Sequence, residues 1–154
     1  MKLSISDWIA IVFGVVSTLG LLYTIWSKWY ENKEKLEVKK SYGFLTYGNQ
    51  ISKEYYLFLE CINHGQKTVI LSSCFLRLPD KKTIPAFYEN PLGYNFPYTL
   101  STGKSFQYLF DIDNLEATLL KHGYKENIKL IPVFTTQRGK TISGKPIDFT
   151  LENS

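Results

Sequence analysis

Apolar positions are continuous from Trp8 to Trp26, and no charged side chain lies between Asp7 and Lys28. As a helix, these 19 residues would extend about 28 Å, close to the ~30 Å hydrocarbon core of a bilayer. A secretion signal would have only about 7–15 apolar residues and a small-residue cleavage site. A helix buried in a soluble core is the other alternative, but aromatic residues at both ends are typical of membrane interfaces. The pattern predicts an uncleaved transmembrane anchor over residues 1–30.

Lysines are unevenly distributed around this apolar segment. Lys2 precedes it alone, whereas five lysines follow it, namely Lys28, Lys33, Lys35, Lys39 and Lys40. Because cytoplasmic flanks carry the excess of Lys and Arg, we expect the N-terminus outside and the C-terminal domain in the cytoplasm. Residues 31–40 alternate in charge and are interpreted as a solvated helical linker, with a Glu31–Lys35 pair, that also attracts anionic headgroups.

Beyond the linker, apolar and polar positions alternate with a period of two, which predicts β-strands. Residues 36–44 form a first strand before a turn at residues 47–49, and residues 53–63 are apolar on both faces, as expected of a central strand. One face of this strand contains Tyr55, Leu57, Leu59 and Cys61, and the other contains Tyr56, Phe58 and Ile62. Residues 63–67 are a turn signal, so residues 53–63 and the apolar run after them are predicted to pair as a hairpin.

Further strands are predicted at residues 82–88, as a short edge strand limited by Pro85, and at residues 104–111. Between them lies a long loop at residues 89–103. A helix is predicted at residues 111–123, with Asp111 or Asp113 as its cap, an apolar stripe of Leu115, Leu119 and Leu120, and Gly123 as its stop. Residues 127–136 and 141–151 flank the Arg138–Gly139 turn as a last hairpin.

Six to eight strands at this spacing, with one short helix, predict a mainly β fold. We expect an N-terminal transmembrane helix followed by an antiparallel immunoglobulin-like β-sandwich over residues 41–154. That sandwich contains 12 Lys and Arg residues against 10 Asp and Glu residues, so it is nearly neutral. A concentrated basic face is needed to bind double-stranded nucleic acid, and we therefore expect no such partner. Cys61 and Cys74 are expected to remain thiols in the cytoplasm.

Catalytic motifs are missing from the sequence. It contains no HExxH, CxxC or GxSxG and no phosphate-binding glycine loop, which argues against metal, thiol, serine-hydrolase and P-loop chemistry. His64 falls in a turn and His122 at a helix end, where structural roles are more common than catalytic ones. Asp111 and Asp113 are better explained as helix caps than as a metal pair. We interpret the protein as a non-enzyme without cofactor or metal.

A span, a charged linker and a strand follow one another along the chain. Three further segments accompany them: YLFLECINHGQKTVILSSCFLRLPDKK, LSTGKSFQYLFDIDNLEATLLKHGY and GKTISGKPIDF. With this order and these segments, the chain resembles a bacterial group of small membrane-anchored proteins with one β-sandwich. Residues 143–146, Ser-Gly-Lys-Pro, are one residue longer than the closing element of that group. The resemblance implies a single-pass protein of the inner membrane. In overall plan the chain is also similar to small membrane effectors of antiviral defence, including type III CRISPR systems, whose cytoplasmic domain binds a cyclic oligonucleotide.

Two sets of residues are candidates for binding. Lys81, Lys82, Tyr88, Tyr94, Tyr98 and Lys104 place aromatic rings beside cations, as stacked bases with phosphates require. The alternative is that these rings close an open end of the sandwich. In the span, Ala10, Gly14, Ser17 and Thr18 offer a face of small residues for self-association, so we expect a homo-oligomer.

Two functions follow from these candidates. The first is a non-enzymatic interaction or sensing module that is anchored in the membrane and docks another protein. The second is an antiviral effector that binds a cyclic nucleotide and perturbs the membrane through its span.

Overall fold

The computed structural model describes residues 4–31, 34–48, 50–86, 92–93 and 95–151. The chain divides into two compact units, Met1–Lys33 and Glu34–Ser154.

The first unit is a single helix, α1, from Ile5 to Glu31. Its start is fixed by a reciprocal cap, because the Ser4 backbone N–H donates to the Asp7 carboxylate at 2.8 Å and the Asp7 backbone N–H donates to the Ser4 hydroxyl at 3.3 Å. In length and composition α1 is sufficient to cross a membrane. The expected helical linker with a Glu31–Lys35 pair is wrong, because α1 ends at Glu31 and Lys35 lies outside any helix.

The second unit is built from nine strands and one helix among its described residues. These are β1 Leu36–Tyr47, β2 Gln50–Asn63, β3 Val69–Arg77, β4 Thr83–Pro85, β5 Tyr98–Leu100, β6 Ser105–Asp111, α2 Ile112–Lys121, β7 Ile128–Thr136, β8 Thr141–Ser143 and β9 Ile147–Phe149. One sheet has the order β1-β2-β6. The other has the order β4-β3-β7-β8, with β5 also paired to β3 and β9 to β7. All pairs are antiparallel, which confirms the predicted mainly β, immunoglobulin-like sandwich.

The core lies between the two sheets and follows the predicted alternation. It includes Leu57, Leu59 and Cys61 of β2, Leu71, Cys74 and Leu76 of β3, and Phe106 and Phe134 from β6 and β7. On the opposite side of β2, Tyr56 packs with Leu45 and Leu109 in a smaller cluster. Both faces of β2 are therefore covered, and β2 is the central strand of its sheet, as predicted.

The predicted hairpin of residues 53–63 with the run after them is wrong. β2 pairs with β1 and β6, whereas β3 pairs with β4, β5 and β7 in the other sheet. Residues 64–68 thus carry the chain across the sandwich instead of back along the same sheet. Alternation predicts each strand and turn, but it does not tell which sheet a turn leads to.

The structure also defines the start of β1, the extent of α2 and the course of the last hairpin. β1 begins at Leu36, as the alternation of residues 36–44 predicts, so residues 36–40 belong to this strand and not to the linker to which they were also assigned. α2 begins after Asp111, whose carboxylate accepts from the backbone N–H of Asp113 at 3.0 Å, and Leu120 is 42% exposed instead of joining the buried stripe. The last hairpin is interrupted at residues 144–146, between β8 and β9. Glycine is needed at position 144, because a Cβ there would lie 2.9 Å from side-chain atoms of Val38 and Pro132.

Candidate functional site

The aromatic loop and its lysines do not come together as predicted. Tyr88 and Tyr94 lie outside the described residues. Lys81 and Lys82 lie in the turn between β3 and β4, whereas the carbonyl of Lys104 accepts from the backbone N–H of Asn63 at the other end of the sandwich. β3, which has nine residues, runs between these two ends and is about 26 Å long. One ligand therefore cannot meet Lys104 and the lysine pair Lys81–Lys82 at once.

The described aromatic residues of this loop belong to the core. The Tyr98 ring lies 4.6 Å from the Phe106 ring, and the Phe96 ring lies 5.0 Å from it, measured between centroids. Lys82 is also engaged, because its ammonium lies 2.9 Å from the Asp80 carboxylate, which raises the Lys82 pKa. These contacts match the alternative in which the rings close the sandwich.

A different aromatic surface is exposed at the far end of the β1–β2 hairpin. β2 has 14 residues, but β6 pairs with it only from Tyr56 to Ile62, so the hairpin extends beyond its neighbour. Tyr42 and Tyr55 stack there with ring centroids 6.1 Å apart, and the Phe44 ring lies 4.8 Å from Tyr55. Tyr42 and Tyr55 are 41% exposed and Phe44 is 53% exposed. We call these three residues the aromatic platform.

The aromatic platform is a continuation of the core face. In the ladder, Tyr42 is opposite Leu57 and Phe44 is opposite Tyr55, and directly opposed side chains point to the same side of a sheet. Leu57 is fully buried between the sheets. The same face therefore changes from buried core to exposed rings within two residues along β2. An apolar surface of this kind is typical of a site that a partner covers.

Groups of both charges lie near the aromatic platform. Partial burial raises the pKa of the Tyr42 hydroxyl, and the neighbouring Tyr55 and Asp148 add to this rise. Lys40 is on the same face of β1, but its ammonium donates to the Pro146 carbonyl at 3.4 Å. One carboxylate and one cation thus lie near the rings, and their exposed apolar surface is compatible with an apolar ligand.

Sequence reasoning predicted these strands but not their exposed end. The alternation of apolar and polar residues places Tyr42, Phe44 and Tyr55 in strands. On its own, that alternation predicts that these three rings are buried. The signal that could have found the aromatic platform is length, because residues 53–63 exceed the partner strand predicted at residues 104–111. When a central strand is longer than its neighbour, the extra residues of the central strand are left uncovered at one end.

The candidate catalytic groups have structural roles in the described part of the chain. His64 Nε2 lies 2.8 Å from the Glu37 carboxylate, and this hydrogen bond lowers the Glu37 pKa. The backbone N–H of His122 donates to the Thr118 and Leu119 carbonyls at the end of α2, and Asp111 caps its start. Among the described residues, no three His, Cys, Asp or Glu side chains form a group that could hold a metal ion.

The small residues of the span lie along α1. Thr18 donates its hydroxyl to the Gly14 carbonyl at 2.8 Å, so this hydroxyl is satisfied within the helix. A Cβ at Gly14 would meet nothing within 4 Å. The face that includes Ala10, Gly14, Ser17 and Thr18 is therefore open to a second helix, and self-association through it stays a prediction.

Similarity to known proteins is found among solved structures. The chain matches no family model and no curated protein sequence. Among solved structures, it is similar to a Bordetella pertussis protein described as ApaA, with 11% identity over 77% of this chain and 93% of that chain and a TM-score of 0.36. A Northeast Structural Genomics Consortium target, SoR45, gives 13% identity over 78% of this chain and 88% of that chain, with a TM-score of 0.35. Values this low carry no argument about function.

Proposed function

We propose that this protein is a single-pass membrane protein whose cytoplasmic β-sandwich docks another protein, without catalysis, on the aromatic platform. The observation that carries the proposal is the core face that continues as the exposed rings of Tyr42, Phe44 and Tyr55. Tyrosine and phenylalanine are enriched in protein interfaces, where large rigid rings bind at a low cost in side-chain entropy.

An apolar protein segment fits this surface better than a cyclic oligonucleotide. Base stacking on Tyr42 or Tyr55 would bring phosphates into the field of Asp148, and Lys40 is engaged by a carbonyl. A sensor needs cations beside its rings, and here the Lys40 ammonium is opposed by the Asp148 carboxylate. The antiviral effector thus remains the second candidate, and its nucleotide is one outcome of the test below.

The test uses the full chain in its native membrane. A photo-crosslinking amino acid replaces Phe44, and a control replaces the exposed Ala117 of α2. We expect an adduct with one defined protein from position 44 and none from position 117. The identified partner is then purified, and its affinity is compared for the wild type, Phe44→Ser and the control Leu120→Ser, which removes a similarly exposed apolar side chain.

Loss of a central aromatic contact at an interface costs about 2 kcal/mol or more, so Phe44→Ser should weaken binding at least about 30-fold. Leu120→Ser should leave the affinity unchanged. Equal effects of the two substitutions would refute the docking site. Calorimetric heat with cyclic oligonucleotides that disappears in Tyr55→Ala would replace the docking proposal with the sensor.

The membrane topology has its own test. A reporter fused after Ser154 should behave as cytoplasmic, because five lysines follow the span against one before it. Carbonate extraction should leave the full-length chain in the membrane fraction. A periplasmic reporter signal, or a mature chain that lacks its first 30 residues, would contradict this topology.

A further inference from the structure

Four segments that are distant in sequence meet at one end of the sandwich. They are residues 34–35 before β1, 64–68 between β2 and β3, 101–104 between β5 and β6, and 137–140 between β7 and β8. The backbone N–H of His64 donates to the Lys35 carbonyl at 2.8 Å, and that of Gln137 donates to the Ile70 carbonyl at 2.8 Å. We call these four segments the basic end.

The basic end has a clear excess of positive charge. It contains five cations, Lys35, Lys67, Lys104, Arg138 and Lys140, and one carboxylate, Glu34, which gives a net charge of five minus one, or +4. All five cations are exposed. The single carboxylate is shared, because Arg138 and Lys140 approach Glu34 at 3.3 and 3.4 Å.

The opposite end of the sandwich is nearly neutral. Its described turns and caps at residues 78–82, 111–114 and 122–127 contain three lysines and four carboxylates, a net charge of three minus four, or −1. The nearly neutral total charge of the domain therefore conceals an asymmetry between its ends.

Hydrogen bonds hold the basic end in one conformation. Asn63, which is fully buried, donates its amide to the Lys67 carbonyl at 2.7 Å and the Leu100 carbonyl at 3.1 Å. Its amide oxygen accepts from the Gly65 backbone N–H at 2.9 Å. Its backbone carbonyl accepts from the Gly103 backbone N–H at 2.8 Å. The two loops that carry Lys67 and Lys104 are thereby ordered before binding, which lowers the entropic cost of binding.

We propose that the basic end docks on anionic phospholipid headgroups of the membrane in which α1 is anchored. The proposal rests on the membrane anchoring proposed above. Only residues 32–35 separate α1 from β1, and this connection reaches at most about 18 Å, so the segment that begins at Glu34 stays close to the bilayer surface. Complementary charge then favours the basic end, and each cation near an anionic surface strengthens attachment about fivefold.

The experiment measures the distance of the basic end from the headgroups. The full chain is reconstituted into nanodiscs of phosphatidylcholine alone or with phosphatidylglycerol, and a donor dye is attached at Thr102→Cys or, at the hairpin tip, Gln50→Cys. Acceptor dyes are placed on the lipid headgroups. Cys61 and Cys74 are buried with raised pKa values, so the introduced thiol reacts selectively.

We expect energy transfer from position 102 to rise with anionic lipid and to fall in high salt, with little change from position 50. Lys67→Gln combined with Lys104→Gln and Arg138→Gln should shift the docked population about 100-fold. A matched control changes Lys81, Lys82 and Lys125 to Gln, with the same loss of charge at the other end, and should leave the transfer unchanged.

Equal transfer from position 102 in the two lipids, or equal effects of the two triple variants, would overturn the proposal. Failure of anchoring is a separate result, because an unanchored chain does not co-elute with the nanodiscs. Lipid dependence in a co-eluting chain thus reports on docking alone.

Discussion

Asn63 is the buried polar side chain on which the geometry of the basic end depends, and Asn63→Ala tests this dependence. The substitution removes two donor hydrogen bonds and one acceptor hydrogen bond, at 2.7, 3.1 and 2.9 Å. It leaves the buried N–H of Gly65 and two carbonyls without that partner. Water cannot easily replace the amide, because the site is fully enclosed.

The expected cost follows from the three bonds. A net contribution of about 0.5–1.5 kcal/mol for each bond gives a loss of about 2–4 kcal/mol in the free energy of unfolding. For a domain of this size, that corresponds to a fall of roughly 8–20 °C in Tm. Asn63→Asp should cost more than Asn63→Ala at neutral pH, because it keeps the acceptor but directs a negative charge at two carbonyls.

Thiol reactivity gives an assay specific to the sandwich. The tryptophans all lie in α1, so their fluorescence does not report on the second unit, whereas both cysteines are buried in its core. Thermal unfolding in detergent is followed with a fluorogenic thiol reagent. The matched control is Asn114→Ala, which removes an exposed amide bonded to Asp111 at 2.7 Å and should cost less than about 0.5 kcal/mol. An Asn63→Ala midpoint within about 2 °C of the wild type would refute the reasoning.

Three other predictions concern the core, the span and α2. Burial raises the pKa of Cys61 to about 12, above its unfolded value of about 8.5, so the stabilisation is complete below pH ~8.5. Between these pH values Cys61 alone should lower the free energy of unfolding by about 1.4 kcal/mol per pH unit, in addition to the slope from the buried Cys74, and Cys61→Ala should reduce the slope measured by urea titration by about that amount. Gly14→Leu should reduce crosslinked oligomer in membranes, whereas Gly20→Leu, on another helix face, should not; unchanged oligomer in both would exclude this contact. Asp111→Ala should cost about 1 kcal/mol of stability by thermal unfolding, and no loss would show that the cap is dispensable.

Local patterns predicted much of the fold. The strands, the Asp111 cap and the stop at Gly123, which has a φ of 87°, all follow from short-range rules that the sequence states directly. Leu120 was misplaced because it is one residue beyond Leu119, and successive helix positions differ by about 100° around the axis.

Sheet assignment and the binding surfaces could not be predicted in the same way. The turn after Asn63 is predicted correctly as a turn. However, the Asn63 side chain donates to the Leu100 carbonyl, next to the second sheet, and the chain continues from this turn into that sheet. The aromatic platform depends on where β6 ends relative to β2, and the basic end depends on four loops that meet only in the folded domain. Both are long-range properties, and the order of residues along the chain gives no local signal of them.

β1 has a mechanical consequence that extends beyond binding. The strand that directly follows the linker from α1 also carries Tyr42 and Phe44 near its other end. A partner that pulls on these rings, against a chain held in the bilayer, would load β1 along its axis. The part of β1 between the linker and these rings would bear that tension along its own covalent backbone, while the ladder to β2, with paired positions from Leu36 to Tyr47, holds the strand extended. Tension between the proposed partner and the proposed anchor would therefore pass along β1 without first breaking its hydrogen bonds to β2.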